Sequence, residues 1–446
     1  MKARASTIYA TLMAQMCCCV ALAAPSVFPT GVTLHDRARA YQGYVLFTGQ
    51  DKKTHLIDTD GKVVHQWPYE GFPPLLLDPA LAGGKRGNIL LQLSNTPGAQ
   101  AGNGLGNNAI GELDWNGKVL WQWGAGAQAA YASDGVAGHG APGGAARQHH
   151  DWRRLANGNT LVLANRVHQV AGFASPVLDD VVYEVTPSGA LAWQWTASEH
   201  IEEFGFSPEA LKLVRAAQPR HGAQAADILH LNTMAVVGPN KWFDQGDQRF
   251  HPDNVLVGSR EANFIAIVDK KSGKVVWTLG PDYPAIAGSH VPRPVDQIVG
   301  PHDAHIIAPG LPGAGNLLVF DNQGEAGYPR VSPGIFPHSR VLEIDPVSKQ
   351  VVWQYTAANS GQTQWSFYSA FISSARRLPN GNTLVDEGMN GRFFQVTPKG
   401  DIVWEYISPF FGESPVGGGG QKVRTNWVYR ATPVPYDWVP AASNKQ

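Results

Sequence analysis

One motif occurs six times in this chain: a turn closing on Gly or its equivalent, then an apolar strand with an aromatic residue near its end. It reads DGKVVHQW at 60–67, NGKVLWQW at 116–123, SGALAWQW at 188–195, SGKVVWTL at 272–279, SKQVVWQY at 348–355 and KGDIVWEY at 399–406. Internal repetition of a strand-bearing unit means a repeat architecture, and six such units predict the blades of a β-propeller. The third unit reads most fully: a strand over 150–155, the tight-turn pair Asn157-Gly158, strands over 160–164 and 181–185, the turn Pro187-Ser188-Gly189, and a last strand over 191–195. The sixth follows the same plan, with strands at 376–378, 383–385, 394–396 and 402–404 around Asn380-Gly381. Four antiparallel strands make one blade, so the expected fold is an all-β, six-bladed propeller occupying 44–440.

The first unit is one strand short, with strands only at 44–48, 55–58 and 63–67. The apolar segment Trp427–Thr432 has no other role, so it is expected to supply the innermost strand of blade one and close the ring. The aromatic residues ending the fourth strands are read as wedge fillers between blades.

Residues 1–23 read as a signal peptide: Lys2 and Arg4, an apolar run from Ile8 to Leu22, and the small-x-small pattern Ala21-Leu22-Ala23. The run is short for a membrane span. Cys17, Cys18 and Cys19 all lie inside it, so the mature chain would hold no cysteine and no disulfide. No small-residue lipobox leads into them, which favours a soluble periplasmic or secreted protein with no membrane span after cleavage. Residues 24–43 form a short N-terminal segment and 441–446 a tail. A formal net charge of −1 argues against nucleic acid as a partner and requires any anion site to be a local cluster of positive charge.

Chain direction sorts the connections between two ends of the disc. The turns NGN, DTDG, DWNG, TPSG and TPKG fall at one end and are short. The connections 124–148, 196–227, 281–300, 322–338 and 409–425 fall at the other and are long, which marks that end as functional. Loop 238–252 of blade four is a long exception at the quiet end. The connection 196–227 is expected to carry a helix capped by Ser207, with Pro208 in its first turn.

The first strand of a blade starts at the functional end, beside the channel. Alignment by turns puts His150, His230 and His302 there, in blades three, four and five. The second strands finish nearby, at Asn165-Arg166, Ser259-Arg260 and Asp321-Asn322. Alternation along a strand sends His149 and His305 elsewhere. A mouth lined by His, Arg and Asn suits a small oxyanion: arginine offers a rigid fork of donors, and histidine can donate, accept or attack.

These residues, in this order, resemble those of the bacterial arylsulfotransferase family. The matching features are His149-His150-Asp151 with Asn157-Gly158-Asn159, His230-x-Asn232, Gly258-Ser259-Arg260, His302-Asp303 with Gly315-Asn316, Phe320-Asp321-Asn322, and Val428-Tyr429-Arg430-Ala431. The resemblance spans about Gly43 to Pro440. It implies nucleotide-independent transfer of a sulfuryl group from a phenolic sulfate ester to a phenol, by a ping-pong mechanism and without a cofactor. The family's transiently sulfated histidine falls on His302. His230 and Arg260 fall on catalytic positions, and His150 and Asn232 on positions that hold sulfate oxygens. Asp303, Asp321 and Asn322 are outer candidates. Better-known members carry a separate N-terminal β-domain and a disulfide, whereas here about twenty residues separate the expected cleavage site from blade one; the oligomeric state stays open.

Three other readings compete. A metal-dependent hydrolase could use the three histidines and a carboxylate, although Arg260 in the same mouth would repel the metal. A quinoprotein-like propeller would need a cofactor and often a cysteine pair. A non-catalytic propeller would bind a partner through its long loops.

Overall fold

The computed structural model describes residues 29–93, 109–124, 147–220, 223–281, 297–416 and 421–440. The expected signal peptide, most of the 124–148 and 281–300 connections and the tail 441–446 lie outside the described residues.

Six antiparallel sheets form the ring of a six-bladed β-propeller. Blade two is built from Leu75–Leu76, Ile89–Gln92, Ile110–Leu113 and Val119–Trp123. Blade three uses Arg147–Arg154, Thr160–His168, Val177–Val185 and Leu191–Thr196. Blade four uses Leu231–Val236, Val255–Ser259, Phe264–Val268 and Val275–Leu279. Blade five uses His302–Ile306, Leu317–Asp321, Arg340–Ile344 and Val351–Tyr355. Blade six uses Ser374–Arg377, Thr383–Glu387, Arg392–Val396 and Ile402–Ile407.

Blade one is closed from the C-terminus, as the missing strand required, but by a later segment. Thr432–Val434 pairs with Tyr44–Leu46, so only Thr432 of the expected stretch joins the sheet. Residues 427–431 are needed elsewhere: Val428, Tyr429, Arg430 and Ala431 are all buried at the channel. The N-terminal segment also takes part. Gly31–His35 pairs with Ile402–Ile407 and adds a fifth, outermost strand to blade six.

The recurring aromatics do two jobs. They bury apolar area between neighbouring blades: Trp67, Trp123, Trp195, Trp277, Tyr355 and Trp404 are each at most 5% exposed. An aromatic ring of roughly 200 Å² contributes on the order of 5 kcal/mol when buried, before ordering entropy is counted. They also fasten each blade to the next. The indole N–H of Trp121 donates to Pro187 O (3.1 Å), Trp195 to Gly273 O (3.0 Å), Trp277 to Pro346 O (2.8 Å), Trp353 to Pro398 O (2.9 Å) and Trp404 to Thr59 O (2.7 Å). Blade one carries His65 in place of the indole, and its Nε2 lies 2.8 Å from Trp115 O. Each acceptor carbonyl belongs to the turn between the third and fourth strands of the following blade. Those turns are shaped by their own side chains: Asp58 Oδ1 accepts from the N–H groups of Asp60 and Lys62, and Asp114 Oδ1 from Asn116 and Lys118.

Two loops find their place. Ser207 caps the helix Pro208–Arg215 through the Ala210 N–H. Loop 238–252 braces blade four against blade five, with the Trp242 indole donating to Gly315 O at 2.7 Å and Phe250 fully buried.

Ring closure thus rests on short C-terminal pairing. Removal of residues 426–446 is expected to abolish the cooperative thermal transition seen by circular dichroism, whereas removal of 441–446 alone should leave it in place. A truncated chain that melts like the full one would refute closure through 432–434.

Candidate active site

The inner strands of blades three, four and five are interrupted at one height. Pairing of first and second strands shifts between Val162 and Ala164, between Leu231 and Thr233, and between His302 and His305. At or beside these bulges His150, His230 and Asp303 take φ values of 58°, 50° and 56°. Left-handed backbone costs an L-residue roughly 1–2 kcal/mol, so each must be held by its surroundings. A bulge re-aims side chains, and here it points imidazoles into the channel mouth.

The expected histidine cluster forms. The rings of His150 and His230 lie 5.0 Å apart. His302 and Arg260 are close enough for the guanidinium charge to act on the imidazole. His149 does not point away, because the bulge breaks the alternation on which that expectation rested. Its Nδ1 lies 2.6 Å from His150 Nδ1, and its Nε2 lies 3.2 Å from Asp180 Oδ1. The proton between the two rings can sit on either nitrogen, so His150 can present a donor or a lone pair at Nε2. His305 does lie apart, donating from Nδ1 to Asp303 O at 2.7 Å.

His302 is buried and oriented from both sides. Nδ1 faces two acceptors, Asn322 Oδ1 at 2.7 Å and Gly300 O at 3.0 Å. The Asn322 amide cannot be reversed, since its Nδ2 donates to Ser369 O (2.7 Å) and Ile372 O (2.8 Å). The proton therefore sits on Nδ1, and Nε2 carries the lone pair. That lone pair accepts the main-chain N–H of Ile372 at 3.1 Å. Ile372 and Ser373 both have positive φ (56° and 92°), and the Ser373 N–H is tied to Tyr429 O at 3.1 Å. Burial first, and the nearby Arg260 charge second, push the His302 pKa down to about 3. The ring is neutral at every ordinary pH.

His230 is the opposite case. Burial works against its charge, but Asp227 Oδ2, 2.5 Å from Nδ1, overcomes that and raises the pKa above the usual value. His150, beside other imidazoles and Arg430, is driven well down, chiefly by burial. One mouth thus holds imidazoles whose pKa values are pushed in opposite directions side by side, the arrangement that separates acid from nucleophile.

The other expected residues have protein partners. Asn232 Nδ2 donates to Pro301 O at 2.8 Å, and its Oδ1 accepts from Thr233, so it positions the residue before His302. Asp321 accepts from the Val299 N–H (2.9 Å) and pairs with Arg340 (2.7 Å), shaping the approach to His302. Asp303 lies in the channel, paired with Arg376 and with Arg430 Nε at 3.1 Å. Asn322 alone of the outer candidates touches a cluster imidazole. Arg260 donates its main-chain N–H to His230 O (3.1 Å) and pairs through its guanidinium with Glu261. Asp227 and the Ile372 N–H escaped sequence reasoning. Asp227 could have been found from its spacing of three to His230; a main-chain donor from another blade leaves no sequence trace.

Phe72 and Tyr429 adjoin the histidine cluster. Their rings stack at 4.0 Å, and each lies beside His150, at 5.3 and 5.5 Å. An apolar wall thus faces the imidazoles. Among the described residues no three His, Cys, Asp or Glu side chains are grouped to hold a metal ion.

The sequence model of a family described as Arylsulfotransferase (ASST) matches residues 41–409. None of the curated proteins matches this chain. Among solved structures, a protein of unknown function from Bacteroides caccae is 12% identical, covering 88% of this chain and 99% of that one with a TM-score of 0.45. A streptogramin B lyase structure is 12% identical, covering 92% and 95% with a TM-score of 0.37. The Dos1 propeller is 10% identical, covering 90% and 82% with a TM-score of 0.36.

The raised pKa of His230 is expected to depend on Asp227. In Asp227→Asn the opposing burial is no longer offset, so the pKa should fall below the ordinary value of about 6.5. Titration of assigned imidazole resonances by NMR checks this; an unmoved His230 would show that Asp227 is not the cause.

Proposed function

Since the chain belongs to the arylsulfotransferase family, an assignment that makes it an aryl sulfotransferase, we propose that it works by a ping-pong mechanism through a sulfo-histidine at His302. The observation that carries this reading is the fixed tautomer of His302: a neutral ring whose proton is held at Nδ1, so that its one ring lone pair is at Nε2, where it accepts only the Ile372 N–H. In the first half-reaction Nε2 attacks the sulfur of a phenolic sulfate ester and the S–O bond to the aryl oxygen breaks. Protonated His230 gives its proton to the departing phenoxide. The product phenol leaves, and the sulfuryl group stays on Nε2 while the Nδ1 proton is held by Asn322.

In the second half-reaction a phenol takes its place. His230, now neutral, accepts the phenol proton as its oxygen attacks sulfur, and the N–S bond breaks. Protons and charge balance over the cycle. Arg260 lies where it can offset negative charge on the sulfuryl oxygens, and His150 Nε2–H can add a donor. The Ile372 N–H must release Nε2 for attack, and it is then free to bind a sulfuryl oxygen. Phe72 and Tyr429 give the aryl ring an apolar wall.

His302→Ala is expected to abolish transfer while keeping the native melting transition, and mixing the native chain with a chromogenic aryl sulfate should add one sulfuryl mass on His302 in a digested sample. His230→Ala should slow the donor half-reaction by about 10²–10⁴-fold, the scale of a lost general acid. The pH profile of each half-reaction has a defined sign: His302 stays neutral down to about pH 3, so the donor step shows no acid limb above that and falls as pH rises through the raised pKa of His230, whereas the acceptor step, which needs neutral His230, rises over the same range. Near-normal turnover by His302→Ala would reject the mechanism.

We further propose that the protein is exported to the periplasm or secreted. Among the described residues no helix is long and apolar enough to cross a membrane. The mature protein should begin after Ala23, as N-terminal sequencing of the native product would read; an intact Met1 start would sink this proposal.

A further inference from the structure

Beyond Arg260, the lip of the mouth carries two guanidiniums that the transfer chemistry does not use. Glu261 is 5% exposed and sits in the tight connection between the second and third strands of blade four. Three arginines from three separate loops converge on it. Arg260 is its chain neighbour and binds Oε1. Arg220, from the connection between blades three and four, donates from Nη1 to Oε2 at 3.2 Å. Arg330, from the 322–339 connection of blade five, donates from Nη1 to the same Oε2 at 2.7 Å. Arg330 also pairs through Nε with Glu325 at 3.0 Å.

Three guanidiniums against two carboxylates leave a surplus positive charge. A purely structural clamp between loops needs one arginine on one glutamate. Here the side chains of Arg220 and Arg330 remain 40% and 33% exposed, so donors are left over for solution. The surplus is local, on a chain whose formal net charge is −1. It is also continuous with the reaction site, because Arg260 bridges Glu261 to His302 and His230, on both of which its charge acts.

We propose that Arg220 and Arg330 form an accessory anion site at the lip, which receives a second acidic group on the aryl ring of the donor or acceptor. The preferred substrates are then phenols and phenolic sulfates that also carry a carboxylate, a sulfonate or a further sulfate ester. This rests on the reading that the reacting sulfuryl group lies at His302, since that fixes which end of the ring faces the lip. Both arginines stand outside the transfer chemistry: they choose the substrate and steer it inward.

The test is binding, so that it does not depend on turnover. In a His302→Ala background, phenyl sulfate and its 3-carboxy and 4-carboxy derivatives are titrated by calorimetry at low and high salt. A carboxylated probe should bind about 5- to 10-fold more tightly than phenyl sulfate at low salt, the scale of one charge-assisted pair. The preference should shrink at high salt. Arg220→Gln with Arg330→Gln should bring the ratio to about one while leaving phenyl sulfate unaffected, and the double Lys variant should restore part of it. Equal binding of all three probes, no binding of either carboxylated probe, or equal weakening of every probe in the Gln variant would overturn the proposal and leave the arginines as a loop clamp. Turnover of phenyl sulfate by the native chain is measured separately: its absence would count against the sulfo-histidine mechanism, whereas the probe ratio reports on the lip alone.

Discussion

The relative rotation of neighbouring blades is the constraint on which everything else depends, and a continuous belt of side-chain contacts sets it. In five blades an outer-strand indole reaches a carbonyl in a turn of the next blade, and in the sixth a histidine stands in the same place. Apolar wedges alone would let blades slide, because dispersion has little direction. A directional N–H···O bond at each seam opposes that, at a net of about 0.5–1.5 kcal/mol per bond. An inner belt repeats the device beside the channel. The Met234 N–H reaches Asp151 Oδ2 at 3.2 Å, the Asp303 N–H reaches Thr233 Oγ1 at 2.9 Å, and the Ala375 N–H reaches Asp303 Oδ2 at 3.3 Å. Blades three to six are therefore locked at both radii, and the imidazoles contributed by three of them meet in one place.

Within that frame, two similar histidines acquire opposite properties from one neighbour each. His302 and His230 both lie where burial disfavours charge. His302 meets a neutral amide, which fixes its tautomer but favours the cation too weakly to offset burial and the Arg260 charge. His230 meets a carboxylate at 2.5 Å, which does favour it. Exchanging Asn322 and Asp227 in thought exchanges the nucleophile and the acid. The division of labour thus lies in the hydrogen-bonding partners and not in the imidazoles.

What could be read from the sequence follows what is local. The Gly turns, the strand runs and the aromatic ends repeat, so the blade count and the gathering of three inner-strand histidines were legible, although the strand that holds His150 starts earlier, at Arg147. His149 was misread because alternation is a property of regular strands, and the residues around it are bulged. The closing strand was placed a few residues early because apolar character marks burial of any kind: Trp427–Ala431 is apolar for packing at the mouth, and the sheet begins at Thr432. The fifth strand of blade six, Gly31–His35, pairs with residues almost four hundred positions away, and no local pattern encodes such a partner. Loop 238–252 looked idle for the same reason, because its task lies on blade five.

The segment that closes the ring also sets the charge behind the mouth. Arg430, directly before Ala431 and the closing strand, is fully enclosed and pairs with Asp151 Oδ2 and Asp303 Oδ1, each at 3.1 Å, which ties blade three to blade five across the channel. Arg153 and Arg376 join the same two carboxylates. A third carboxyl, Asp386, has its pKa pushed well up, chiefly by burial, with Asp303 and Glu387 adding to the effect. Three guanidiniums thus pair with two carboxylates in a region too dry to screen their interaction. Removing one of those two carboxylates would leave a buried cation without its partner. The Tyr429 hydroxyl, next in the chain, lies between the carbonyls of His150 (3.2 Å) and Asn232 (2.8 Å), so the same short stretch fixes the floor on which the imidazoles stand. The paired guanidinium of Arg430 at the centre of the ring and the closing strand that begins at Thr432 are thus parts of one short stretch, so the charge behind the mouth cannot be separated from the act of closing the propeller.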